Sequence, residues 1–137
     1  MDCIGQQDLL SDVTKLNLPD DYADEITAIH LFEHIPVLKA EQTLQEWVRL
    51  LKPGGQLSLE MPCLDNIMQL WSQGVRNDDL IGRALFGMPE PETMRHHWCY
   101  SKQQIGDLML RAGLKMVRFE QPLFHVPQRD LRVLGFK

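Results

Sequence analysis

The chain has 137 residues, 44% hydrophobic and 24% charged, and a net charge of -5, which fits one soluble globular domain with a sizeable core. The acidic balance excludes the clustered Lys and Arg that a nucleic-acid backbone needs, and no apolar run approaches the roughly 20 residues that span a bilayer. Cys3, Cys63 and Cys99 lie far apart with no C-x-x-C pair, against a disulfide framework or structural zinc; with no signal-peptide pattern, a reducing cytoplasm is expected.

Residues 8–13 form a short candidate strand, and residues 16–21 a turn-rich loop around Pro19. Residues 25–31 (E-I-T-A-I-H-L) are mostly apolar, with the length of a strand buried on both faces of a parallel sheet. Residues 39–51 are the clearest helix, because Leu44, Trp47, Val48 and Leu51 fall at helical spacing and make one apolar face. Lys52-Pro53-Gly54-Gly55 stops it. Residues 56–61 then alternate, with Leu57, Leu59 and Met61 on one face and Ser58 and Glu60 on the other, which is a strand pattern. The order strand–helix–strand implies a parallel pair with a right-handed crossover.

Two further helices are expected over residues 64–73 and 78–86, followed by a loop over residues 87–91. Residues 101–112 read as a helix with Ser101 as N-cap, Gln104 in the third position of a capping box and Gly113 at the stop. Residues 115–120 and 130–136 are strand-like. The Pro127-Gln128-Arg129 link between them is too short for a crossover helix, so an antiparallel pair is expected.

Taken in order, these pieces resemble the class I S-adenosylmethionine (SAM)-dependent methyltransferases, especially the small type 11 group. The residues carrying the resemblance are Asp12-Val13, Leu18-Pro19, Asp24-Glu25, H-L-F-E-H from His30 to His34, R-L-L-K-P-G-G from Arg49 to Gly55, and His96-His97-Trp98 to Tyr100 before the last helix. The family domain opens with a strand and a glycine-rich turn that lets the backbone approach the cofactor. Here Gly5 is the only glycine before Gly54. The resemblance therefore implies an α/β fold: a Rossmann-like methyltransferase sheet, N-terminally truncated by its first strand-helix-strand, with an antiparallel C-terminal hairpin. Residues 1–137 would form a single partial domain, with residues 64–92 as a helical lid.

By the same resemblance, Asp2 would accept hydrogen bonds from the ribose hydroxyls of SAM. Asp12 would receive the adenine amino group, with the Val13 amide facing a ring nitrogen. His30 would lie near the cofactor's methionine part, and Glu33 and His34 would face the reaction chamber, where a histidine can serve as general base near neutral pH. His96, His97, Trp98 and Tyr100 would line an acceptor pocket. Each has a plainer alternative: Asp2 a free terminal residue, Asp12 a turn residue, Glu33 and His34 supports for the loop before Pro36, and the later histidines surface groups of a helical cap. No metal site is expected, because adjacent histidines rarely share one ion and no ligand spacing recurs. The function implied is methyl transfer from SAM to a small-molecule or glycan-type acceptor, weak or absent in this chain by itself. The alternative is a non-enzymatic α/β module forming a homodimer through an exposed sheet edge.

Overall fold

The computed structural model describes residues 12–137. Asp2 and most of the strand expected over residues 8–13 lie outside this range. At its end Asp12 begins a turn, closed by the Lys15 amide donating to the Asp12 carbonyl at 3.1 Å.

Four strands form one sheet in the order β1-β2-β4-β3. They are β1 (Ala23–Ile29), β2 (Leu51–Pro62), β3 (Met116–Glu120) and β4 (Asp130–Phe136). β1 and β2 are parallel, joined through helix α1 (Ala40–Leu50), which is the crossover expected from the sequence. β4 runs antiparallel to β2 on one side and to β3 on the other. The terminal hairpin is therefore present, but β4 inserts beside β2 and leaves β3 at the edge. The link between the hairpin strands is also longer than three residues, running over residues 121–129.

β2 is the centre of the molecule. Leu57, Leu59 and Met61 are fully buried beneath α1 and helix α4 (Lys102–Arg111), among Leu44, Trp47, Ile105, Met109 and Val133. Each such side chain contributes about 1.5–3 kcal/mol. The opposite face is not solvated as strict alternation would suggest, because Ser58 and Glu60 are buried too. β1 differs in the other direction. Ala28 is its only buried residue, and Asp24, Glu25 and Thr27 are exposed. Among the described residues it pairs with β2 alone, so a strand expected to be covered on both faces is an open edge here.

The helix stop is also more elaborate than a simple break. β2 pairs Leu51 with Ala23 and then resumes at Gln56 with Glu25, so Lys52 to Gly55 bulge out of the ladder. Gly54 takes φ +80°, and a Cβ on Gly55 would press on the Lys52 and Asp24 carbonyl oxygens. Glycine at both positions follows directly from those restraints.

Arg49 organises the entry loop. Its guanidinium donates to the Leu16 and Leu18 carbonyls and to Asp20 and Glu46. Trp47 Nε1 donates to the Val13 carbonyl at 2.7 Å, tying the Asp12 turn to α1. Helix α2 (Leu64–Ser72) and the short helix α3 (Gly82–Phe86) pack on a small second core of Ile67, Ile81 and Ala84. α3 is shorter than the expected 78–86 span, since residues 78–81 form turns. α4 begins with the expected capping box, Ser101 and Gln104 each satisfying the other's backbone amide. No helix among the described residues is long and apolar enough to cross a membrane.

Candidate functional site

The carboxyl ends of β1 and β2 open onto a cavity of about 420 Å³, lined in part by His30, His34, His96, His125 and Arg129. In open α/β sheets this is the end where ligands bind. His30 follows β1 directly and takes the left-handed φ of 47°. For a residue with a Cβ that conformation costs free energy, and it turns the chain sharply into a 3-10 turn, Phe32–His34.

That turn delivers Glu33 inward and His34 to the cavity. Glu33 is 1% exposed. The His30 ring lies between two carboxylates, with Nδ1 3.0 Å from Glu33 Oε1 and Nε2 3.2 Å from Asp130 Oδ2. Both are ion-pair contacts whose angles miss hydrogen-bond alignment, so the Glu33 oxygens and His30 Nε2 have no aligned partner among the described residues. Burial pushes the His30 imidazole down, but Asp130 and Glu33 outweigh it and raise its pKa to about 9, so the ring is cationic at neutral pH. Asp130 responds in the opposite sense. Burial pushes its carboxyl up, while His30 and the Arg129 fork hold it below its ordinary value. Arg129 makes that fork with Nε at 2.6 Å and Nη2 at 2.8 Å from the Asp130 oxygens.

Glu60 forms a second anchor. Its buried carboxylate accepts the backbone amides of Leu123, Phe124 and His125 at 2.8–3.2 Å. This fixes the β3–β4 loop over the cavity and stacks the His125 ring on His30, with centroids 3.9 Å apart. His125 is pushed below its ordinary pKa by burial and by the His30 cation.

The structure brings some of the candidate residues together and separates others. His30, Glu33, His34 and His96 converge. His34 and His96 meet edge to face, with centroids 4.7 Å apart. His97 contributes its backbone amide to the Glu33 carbonyl at 2.8 Å while its side chain is exposed. Trp98 lines a small cavity of about 260 Å³ with His96 and His97, and shares with Tyr100 a separate cavity of about 460 Å³ beside Val37 and Leu38. Tyr100 is 1% exposed and packs on Phe32 at 5.3 Å. Asp12 is exposed in its turn, where the Thr14 amide and hydroxyl both donate to Oδ1. Those bonds hold its carboxyl below the ordinary value of 3.8.

Asp130, Arg129, Glu60 and His125 were not among the residues singled out from sequence. The sequence placed Glu60 on the polar face of the strand over residues 56–61, a pattern that gives no sign of its burial.

A family model described as a methyltransferase domain matches residues 4–118. The chain belongs to the methyltransferase domain family. Its fold is that of the class I SAM-dependent methyltransferases, as solved structures agree. A SAM-dependent methyltransferase from Thermotoga maritima shares 18% identity with a TM-score of 0.66, over 94% of this chain and 63% of that one. One from Archaeoglobus fulgidus shares 13% at a TM-score of 0.64, over 94% of this chain and 66% of that one. One from Aquifex aeolicus shares 21% at a TM-score of 0.59, over 93% and 53%. This methyltransferase domain thus spans between about half and two thirds of the length of those three structures. No curated protein matches the chain.

Proposed function

We propose that this chain carries the acceptor side of a SAM-dependent methyltransferase site, acting on a small-molecule or glycan-type acceptor. The observation that carries the reading is the cavity at the carboxyl ends of β1 and β2, walled by His30, His34 and His96 above a buried Glu33. The described residues fit the adenine end of the cofactor. Asp12 is ionised and held in place through Oδ1, and among the described residues Oδ2 accepts no hydrogen bond and is open to an amino group. Bound SAM would supply an electrophilic methyl group on a sulfonium.

The protein's own contribution is positioning and proton handling. His34 Nδ1 lies 3.0 Å from the Arg95 carbonyl. Donation there leaves Nε2 with a lone pair able to take a proton from an acceptor hydroxyl. The His30 cation and the Arg129 guanidinium together balance the charges of Glu33 and Asp130. Residues 64–92 would close over the acceptor, with exposed Met68, Trp71 and Phe86 as apolar contacts.

Gly5 is the sole glycine before Gly54, so cofactor affinity should be weak in this chain by itself. Titration with S-adenosylhomocysteine, followed by amide NMR shifts up to about 1 mM ligand, should move residues 12–14 and 30–34. Unmoved amides at both segments would sink the reading.

Among the described residues β1 is paired on one side only, which favours a second reading, an edge-paired homodimer. Asp24 and Glu25 on that edge oppose it, because like charges blunt strand pairing. Sedimentation velocity decides between them, and a concentration-dependent dimer with no cofactor response supports the second.

A further inference from the structure

Glu33, His34 and His96 each offer a ligand atom within 4.8 Å of the other two. We propose that these three side chains form a binding site for a divalent transition-metal ion of the zinc class, with its open coordination position facing the cavity.

Three observations converge on it. The first is the preparation of the two histidines. His34 Nδ1 lies 3.0 Å from the Arg95 carbonyl, and His96 Nδ1 lies 2.9 Å from the Ala84 carbonyl. Each carbonyl fixes the tautomer with the proton on Nδ1 and leaves Nε2 as a lone-pair donor, which is how proteins orient metal-binding imidazoles. The second is Glu33. Its carboxylate is 1% exposed and has no aligned hydrogen-bond partner among the described residues. Burying a carboxylate oxygen with no hydrogen-bond donor is costly, and the His30 cation approaches only one of the two. His30 stands beside Oε1, which leaves Oε2 for the ion. The third is the donor set. Two imidazoles and one carboxylate suit zinc and its first-row neighbours, and three protein ligands leave a position for water or a substrate oxygen.

Ligand atoms around a tetrahedral zinc stand about 3.3 Å apart. Binding would need the two half-buried histidines to rotate so that spacings of up to 4.8 Å close to that value. The sequence pattern pointed away from a metal because it suggested His34 with the adjacent pair His96 and His97. The fold instead turns His97 outward and supplies Glu33.

The ion site stands on this geometry alone. Its use on a hydroxyl acceptor rests on the methyl-transfer reading. There the open position would hold the acceptor oxygen and lower its pKa, its proton would leave to bulk water through the open cavity, and His34 would serve as ligand in place of the base role.

The test is metal binding by the untagged full chain, stripped with a chelator and titrated calorimetrically with Zn²⁺, with Co²⁺ absorption as a second readout. One equivalent should bind with a dissociation constant of about 10 μM or tighter. Co²⁺ should show visible ligand-field bands. His34→Ala and His96→Ala should each weaken binding by at least about 10-fold, since even an outer ligand support is worth that much. His97→Ala should leave it unchanged. Glu33→Gln should weaken binding as the His34 and His96 variants do, and if that variant fails to fold the two histidine variants decide, because both side chains are partly exposed. Absence of one-to-one binding in the intact chain, or binding unaffected by both histidine variants, would overturn the proposal. Neither result depends on SAM, so the metal site and the methyl-transfer reading can fail separately.

Discussion

At the scale of single residues, buried charge decides the shape of the site. Glu60 is the clearest case, since one carboxylate satisfies three backbone amides of the loop over residues 121–129. Charge-assisted bonds of this kind exceed neutral ones, and removing the acceptor leaves three donors stranded. Glu60→Ala should therefore lower unfolding stability by about 2–4 kcal/mol, read by urea denaturation; a loss below about 0.5 kcal/mol would refute the anchor role. Asp130 makes a different prediction. Its folded carboxyl lies below the ordinary value of 3.8 because His30 and Arg129 outweigh its burial. A depressed folded pKa gives stability that is full above the unfolded value and is lost as pH falls through the folded one. Asp130→Asn should cost about 3 kcal/mol at neutral pH, because two cations lose their partner. The gap to the natural protein should narrow as pH drops below about 4, and a gap of constant size would contradict the pairing.

Among the elements, the segment that carries His96 depends on a single glycine. Gly87 has φ +70° and pairs with Arg95 in an isolated antiparallel bridge. A Cβ there would strike the Met94 carbonyl oxygen and the His96 amide. Both are backbone atoms and cannot swing aside. Gly87→Ala combines that collision with left-handed strain, so it should cost about 2 kcal/mol or more. It should also displace the His96 ring from the Ala84 carbonyl, read as a shifted imidazole nitrogen resonance. An unchanged resonance together with unchanged stability would show that the bridge does not position His96. α4 shows the opposite situation. Its capping box closes within four residues, through Ser101 and Gln104, and the Asp65 carboxylate adds one bond to the Lys102 amide at 2.7 Å.

For the molecule as a whole, stability is unevenly spread. β2 lies between β1 and β4, and its apolar face meets both α1 and α4. β1 is paired on one side only among the described residues, and the segment spanning α2 and α3 rests on a small separate core. Native-state hydrogen exchange should therefore show greatest protection in β2 and β4. β1 and residues 64–86 should exchange through smaller openings. Uniform protection across the sheet and that segment would mean that the two cores open as one unit. The lid role proposed for residues 64–92 needs this difference, because a covering segment must open without unfolding the sheet.

The sequence by itself determined the elements. Helical spacing of Leu44, Trp47 and Val48, alternation over Leu57, Leu59 and Met61, and the Ser101 capping box are each set by contacts a few residues apart. Even the family was legible from such local pieces in their order. The sheet's interior was not. β4 pairs with β2 across about 70 residues, and no local pattern states which strand lies between which. For the same reason the sequence placed Tyr100 with the histidines, whereas packing on Phe32 draws it into the core. Convergence was equally hidden. Glu33 and His34 meet His96 only because the left-handed turn at His30 and the Gly87 bridge approach from opposite directions, and His30 meets Asp130 only because β4 begins beside the end of β2. Residue chemistry is written along the chain, but distance between charges is a property of the fold, and tertiary structure alone brought these groups close enough to act on one another.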